Sequence, residues 1–214
     1  MSTTTAKIRP LIPPQRKPAP YREASGDQRE RAFIPSGMLA VLMLIATEMM
    51  LFSGLIGSFL IFRLAAPFWP PPALPRLPLT VTWVNTFVLI ASAPTMYLAV
   101  RAVHQSRQRL LRRWLVVTLV LGSLFLAIQG SEWIRLISHG LTMKSGSYGA
   151  TFYLLIGCHA AHVTAAVIWL AAVTAVALRG RYNVRNAGGV ERIAAFWYFV
   201  CAIWPVLFVL VYLM

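Results

Sequence analysis

Six acids occur in this 214-residue chain, and three of them, Glu48, Glu132 and Glu191, lie in or beside long apolar runs. Two of its four histidines, His159 and His162, sit inside such a run as well. Carboxyl and imidazole groups can share or pass a proton, and an imidazole can also ligate a metal or haem iron. In hydrocarbon these groups are expensive unless neutral, paired or turned toward protein, so each is a candidate site residue. Glu48 falls 11 residues into the run 37–63, roughly 16 Å deep at the helical rise. His159 and His162 share one helical face and, counted from the outer end of their run, lie roughly 15–20 Å deep, near the level of Glu48. The expectation is a proton-linked or structural polar cluster of Glu48, Glu132, His159, His162 and Glu191, with Glu48 close to one of the two histidines.

A metal reading of the same residues is weaker. A haem held by two imidazoles usually takes one from each of two helices, whereas His159 and His162 belong to one run. His104 and His139 fall at opposite membrane surfaces, and four imidazoles are too few for a dinuclear haem–copper centre. Glu48, His159 and His162 could approach one metal ion, but intramembrane histidine more often hydrogen-bonds to carboxylate or carbonyl. No nucleotide-binding, zinc or serine-nucleophile motif is present. No metal ligand set and no catalytic residue of its own is expected.

The elements that must position these groups follow from hydropathy. The chain is 58% hydrophobic and 12% charged, with mean hydropathy +0.66, the profile of an all-α polytopic membrane protein. Five apolar segments are expected at about 37–63, 79–101, 114–138, 148–178 and 193–214, behind a basic, proline-rich arm over 1–36. Small residues Ser53, Gly54, Gly57 and Ser58 lie about 150° around the first helix from Glu48, and predict a helix-packing face. Gly157, Ala160, Ala161 and Ala165 predict close packing around the histidines. Gln129, Glu132 and Arg135 continue one face of the third span, with a local Glu132–Arg135 pair as the plain alternative to function. Asn85 reads as interhelical glue, and Pro94 as a kink whose freed carbonyl Ser92 or packing from neighbours could serve. Cys158 and Cys201 fall inside spans and read as packing thiols. The first apolar run starts late, is long and lacks a small-residue cleavage site, so it is read as a retained span.

Net charge +14 does not point to nucleic acid, because its distribution is topological. Lysine and arginine divide sixteen to four between the two sides, which predicts a cytoplasmic N-terminus and an outer C-terminus. Five spans cannot form two inverted halves, which weighs against the inverted-repeat transporter folds.

The motifs, in order, resemble subunit III of the haem–copper cytochrome c oxidases over about residues 37–214. Thr47-Glu48-Met49-Met50-Leu51-Phe52 resembles the family's glutamate-bearing segment. Asn85-Thr86 followed by Leu89 resembles its asparagine–threonine helix, and Gln129 with Glu132-Trp133 its Gln-x-x-Glu-aromatic segment. Tyr148-Gly149, Phe152-Tyr153 and Ile156-Gly157-Cys158-His159-Ala160-Ala161-His162-Val163 are similar to its Tyr-Gly…Thr-Gly-Phe-His-Gly-x-His-Val motif. Glu191 with Phe196-Trp197-Tyr198-Phe199-Val200 and Ile203-Trp204 resembles its last helix. The sequence departs where the family usually has His and Asp, which are Tyr198 and Cys201 here.

The resemblance implies a five-helix bacterial form in the inner membrane, part of a terminal oxidase in aerobic electron transport that reduces oxygen and translocates protons. Such a subunit is non-catalytic, with haem and copper held by partner subunits. It packs on the catalytic subunit I and other oxidase subunits, holds phospholipids, and supports proton uptake and turnover. Glu48 matches the family's buried reactive carboxylate. The electron donor, cytochrome c or quinol, would act through partners. A subunit III-like partner of a quinol oxidase or nitric oxide reductase is the nearest alternative, and a small proton or ion transporter the alternative of another class.

Overall fold

The computed structural model describes residues 35–69, 79–182 and 186–213. The arm over 1–36, all but its last two residues, and most of the proline-rich turn after the first span lie outside them. Five helices run in order: α1 (Ser36–Ala65), α2 (Leu79–His104), α3 (Gln108–Ser138), α4 (Gly146–Leu178) and α5 (Gly188–Phe208). The last continues as a wider π turn over Val209–Leu213. No strand occurs among the described residues, and each helix is long and apolar enough to cross a membrane.

Two helices begin earlier than hydropathy predicts. α3 starts at Gln108 rather than near 114, and α5 at Gly188 rather than 193. Arginine is a good helix former, so with Arg109, Arg112 and Arg113 helix α3 continues past the point where apolar character stops. Hydropathy marks the edge of the hydrocarbon and not the end of the helix. Only Gln105–Arg107 is left to join α2 to α3, and Ser106 turns the chain there at φ 55°.

α5 packs against α1, α2 and α4, while α2 meets α3, α3 meets α4, and α4 meets α1. Trp197 and Trp204 of α5 are wholly buried. A buried indole N–H needs an acceptor, and α2 supplies both. Trp197 donates to Ser92 Oγ at 3.0 Å and Trp204 to Thr86 Oγ1 at 2.9 Å. Across from them α3 must come close: a Cβ on Gly122 would stand 2.4 Å from the Trp197 ring. Helix α2 runs through Pro94. Ser92 Oγ donates to the Leu89 carbonyl at 2.6 Å, one residue away from the Ile90 carbonyl that the proline leaves free, so of the two expected repairs the serine's is not made.

The small-residue face of α1 is turned away from the described helices of this chain. Ser53, Gly54 and Ser58 are exposed, and a Cβ on Gly54 or Gly57 would meet nothing within 4 Å. No described helix of this chain packs there. The serines turn inward to their own helix, Ser53 donating to the Met49 carbonyl and Ser58 to that of Gly54. α1 buries the other side, Val41, Phe52 and Phe59. On α4, likewise, Ala161 and Ala165 are exposed, and Gly157 and Ala160 only half-buried. Small side chains permit close approach, but only on the side a neighbour occupies.

Candidate functional site

Each acid of the bundle finds a base. In the middle of α1, Glu48 Oε2 lies 2.7 Å from His162 Nε2 on α4. Near the C-terminal end of α3, Arg135 Nη1 donates to Glu132 Oε1 at 3.1 Å, the local pair. Glu132 is buried while the Arg135 side chain is 69% exposed, so the arginine reaches out from a carboxylate rooted in the bundle. At the other end, His104 Nε2 of α2 and Glu191 Oε1 of α5 are 3.1 Å apart. Sequence reading placed these last two near the same surface without joining them, because only the α2–α5 contact does so.

The Glu48 pair has an internal logic. His162 Nδ1 is 2.7 Å from the carbonyl of Cys158, one turn back. A carbonyl only accepts, so Nδ1 carries a hydrogen and Nε2 is the nitrogen left to face Glu48. One proton then lies between Oε2 and Nε2. It makes either a carboxylic acid donating to neutral imidazole or an imidazolium donating to carboxylate. Both arrangements have zero net charge, which is how the pair tolerates mid-membrane depth. The side chains are 19% and 16% exposed, at the seam where α1 meets α4. Phe52, one turn along α1 and wholly buried, sets its ring edge-on to His162 at 5.3 Å and to His159 at 6.4 Å.

His159 does not join that pair. It stacks on Trp204, with ring centroids 5.1 Å apart and planes at 28°. Behind it a neutral network ties three elements: Asn85 Nδ2 donates to the Phe125 carbonyl and to Gln129 Oε1, each at 3.3 Å, and Gln129 Nε2 donates to Tyr212 Oη at 3.3 Å. Asn85 is therefore interhelical glue. Tyr212, Trp204 and Thr86 were not singled out as site residues. The detectable signal was the set of buried indoles and amides, each of which requires a partner.

Of the two last-helix departures, Cys201 acquires partners. Cys201 Sγ sits 3.6 Å from Ser92 Oγ and 3.8 Å from the Leu89 carbonyl, so a thiol tethers α5 to α2 where the resemblance would place an acid. Tyr198 Oη is enclosed without a partner.

The family model described as cytochrome c oxidase subunit III matches residues 22–214. This chain belongs to that family. A Synechocystis cytochrome c oxidase subunit 3 is 34% identical over 178 residues, covering 83% of this chain and 75% of the relative. The Mycobacterium leprae protein named probable cytochrome c oxidase subunit 3 is 34% identical, covering 78% of this chain and 83% of its own. The Corynebacterium diphtheriae subunit 3 is 29% identical and spans 89% of this chain and 95% of its own. Membership of the subunit III family, with five spanning helices, makes this a multi-pass membrane protein of an oxidoreductase complex.

Proposed function

We propose that the chain is the non-catalytic subunit III of a bacterial cytochrome c oxidase, packed on the haem–copper subunit, holding phospholipid and sustaining proton uptake and turnover. The observation that carries this reading is the 2.7 Å contact of Glu48 Oε2 with His162 Nε2, midway along α1. The donor set argues against a haem of its own. His162 is committed through both ring nitrogens, and His159 is buried face-on against Trp204, so no two imidazoles face each other across helices. The five residues expected as one polar cluster separate into the pairs Glu48–His162, Glu132–Arg135 and Glu191–His104, with His159 apart, and their role is proton-linked or structural. The N-terminus is cytoplasmic, as the charge distribution favours.

The test is purification of the chain from its native membrane, wild type and Glu48→Ala. The reading expects co-migration with haem-bearing subunits in both. It also expects a lower sustained oxygen-consumption rate in the variant at unchanged haem content. Recovery of the chain without haem-bearing subunits, or haem bound to the chain alone, overturns it.

A further inference from the structure

Three residues before His162, His159 meets the opposite fate. It is 1% exposed, and neither ring nitrogen has a hydrogen-bond partner. A neutral imidazole offers one N–H donor and one bare acceptor nitrogen. Leaving both unmet in a buried site is costly, and native cores seldom do it. The surrounding rings do not substitute. Trp204 stacks on the face of the imidazole, while Phe125 and Phe52 stand off at 6.3 and 6.4 Å.

A second orphan lies in the same layer: Asn85 Oδ1, on a side chain that is also 1% exposed. The two are joined through shared neighbours. Phe125 presents its ring to His159 and its carbonyl to Asn85 Nδ2. Trp204 stacks on His159 and donates to Thr86, the residue after Asn85. Of the other polar groups, Glu48 is engaged with His162, Glu132 with Arg135, Tyr212 with Gln129 and Cys201 with Ser92, while Trp133 Nε1 and Tyr198 Oη are also unpartnered. Among the described residues no three His, Cys, Asp or Glu side chains gather as a metal site requires. His159 and Asn85 Oδ1 together leave one donor and two acceptors unmet, on groups of different helices. Water, with two hydrogens to give and two lone pairs to receive, matches that set.

We propose that His159 and Asn85 Oδ1 form an internal water site, occupied by one or two ordered molecules. The hydrated imidazole extends the Asn85–Gln129–Tyr212 chain across the bundle to within one helical turn of His162. This goes beyond the proposed role in the oxidase and does not depend on it.

The test is a water-resolving density map of the protein purified from membranes with whatever subunits accompany it. The expected result is a peak within about 3.2 Å of a His159 ring nitrogen, connected directly or through a second peak to Asn85 Oδ1. His159→Phe should abolish the first peak, and Asn85→Leu should abolish or displace the connection. If His159→Phe does not accumulate, the wild-type and Asn85→Leu maps decide. A wild-type map with no peak beside either nitrogen, a ring turned so that a protein group serves it, or a peak that persists in His159→Phe overturns the proposal.

Discussion

Helices α1 and α5 are nearly equal in hydropathy, yet 11% of the most apolar stretch of α1 is buried within the chain against 50% of that of α5. Apolar content decides that both cross the membrane; it does not decide which becomes core. The difference lies in the groups that need partners. α5 carries two indoles whose N–H groups must be met and a thiol that finds Ser92. Helix α1 carries one such group, Glu48, and beyond it presents small residues with their hydroxyls already satisfied. In lipid, where leaving hydrocarbon for another helix gains little, packing and polar partnership sort the helices.

The sharpest way to break that contrast is at the α3–α5 contact. Gly122→Val sets a branched side chain into the Trp197 ring and should destabilise the detergent-solubilised chain by about 3 kcal/mol, read by thermal unfolding. Glu48→Ala comes next: it strips His162 Nε2 of its partner at a half-buried site and should cost about 1–3 kcal/mol. Glu48→Gln then separates the two proton arrangements. Its amide N–H can donate to a neutral imidazole but cannot neutralise an imidazolium. Near wild-type stability therefore assigns the acid–imidazole form, and a loss equal to that of Ala assigns the ion pair. Thr86→Val, which removes the acceptor of the Trp204 indole, should cost about 1–2 kcal/mol.

How much of this could be read from the chain depended on what each residue's position encodes. The five spans follow from hydropathy because the bilayer imposes a length. The depth match of Glu48 with the histidine turn follows from helical rise. Which histidine pairs does not follow, because it depends on how α1 and α4 are rotated, and Phe52 fills the space beside both rings. The Glu191–His104 pair required knowing that α2 and α5 are neighbours. Ser53, Gly54, Gly57 and Ser58 tell that a backbone could come close, and carry no information on whether it belongs to the same chain.

One smaller effect tests the extramembrane end. Burial pushes the Tyr182 phenol, in the loop before α5, above its ordinary value of about 10, with Arg192 drawing it partly back. The folded form holds that proton more tightly than the unfolded one. The stability it contributes is thus present below pH ~10 and lost as pH climbs through the window above. Tyr182→Phe should flatten that alkaline slope in thermal melts, and an unchanged slope would assign it elsewhere.

The smallest expected change closes the comparison from the α1 side. Gly54→Val alters the same residue type as Gly122→Val, but a Cβ at Gly54 meets nothing within 4 Å. Intrinsic helix preference and lipid contact are then the only terms, so the solubilised chain should shift by no more than about 0.5 kcal/mol. A loss approaching that of Gly122→Val would mean that the outer side of α1 is packed by this chain after all. Hydropathy rather than partnership would then have been the better guide to burial.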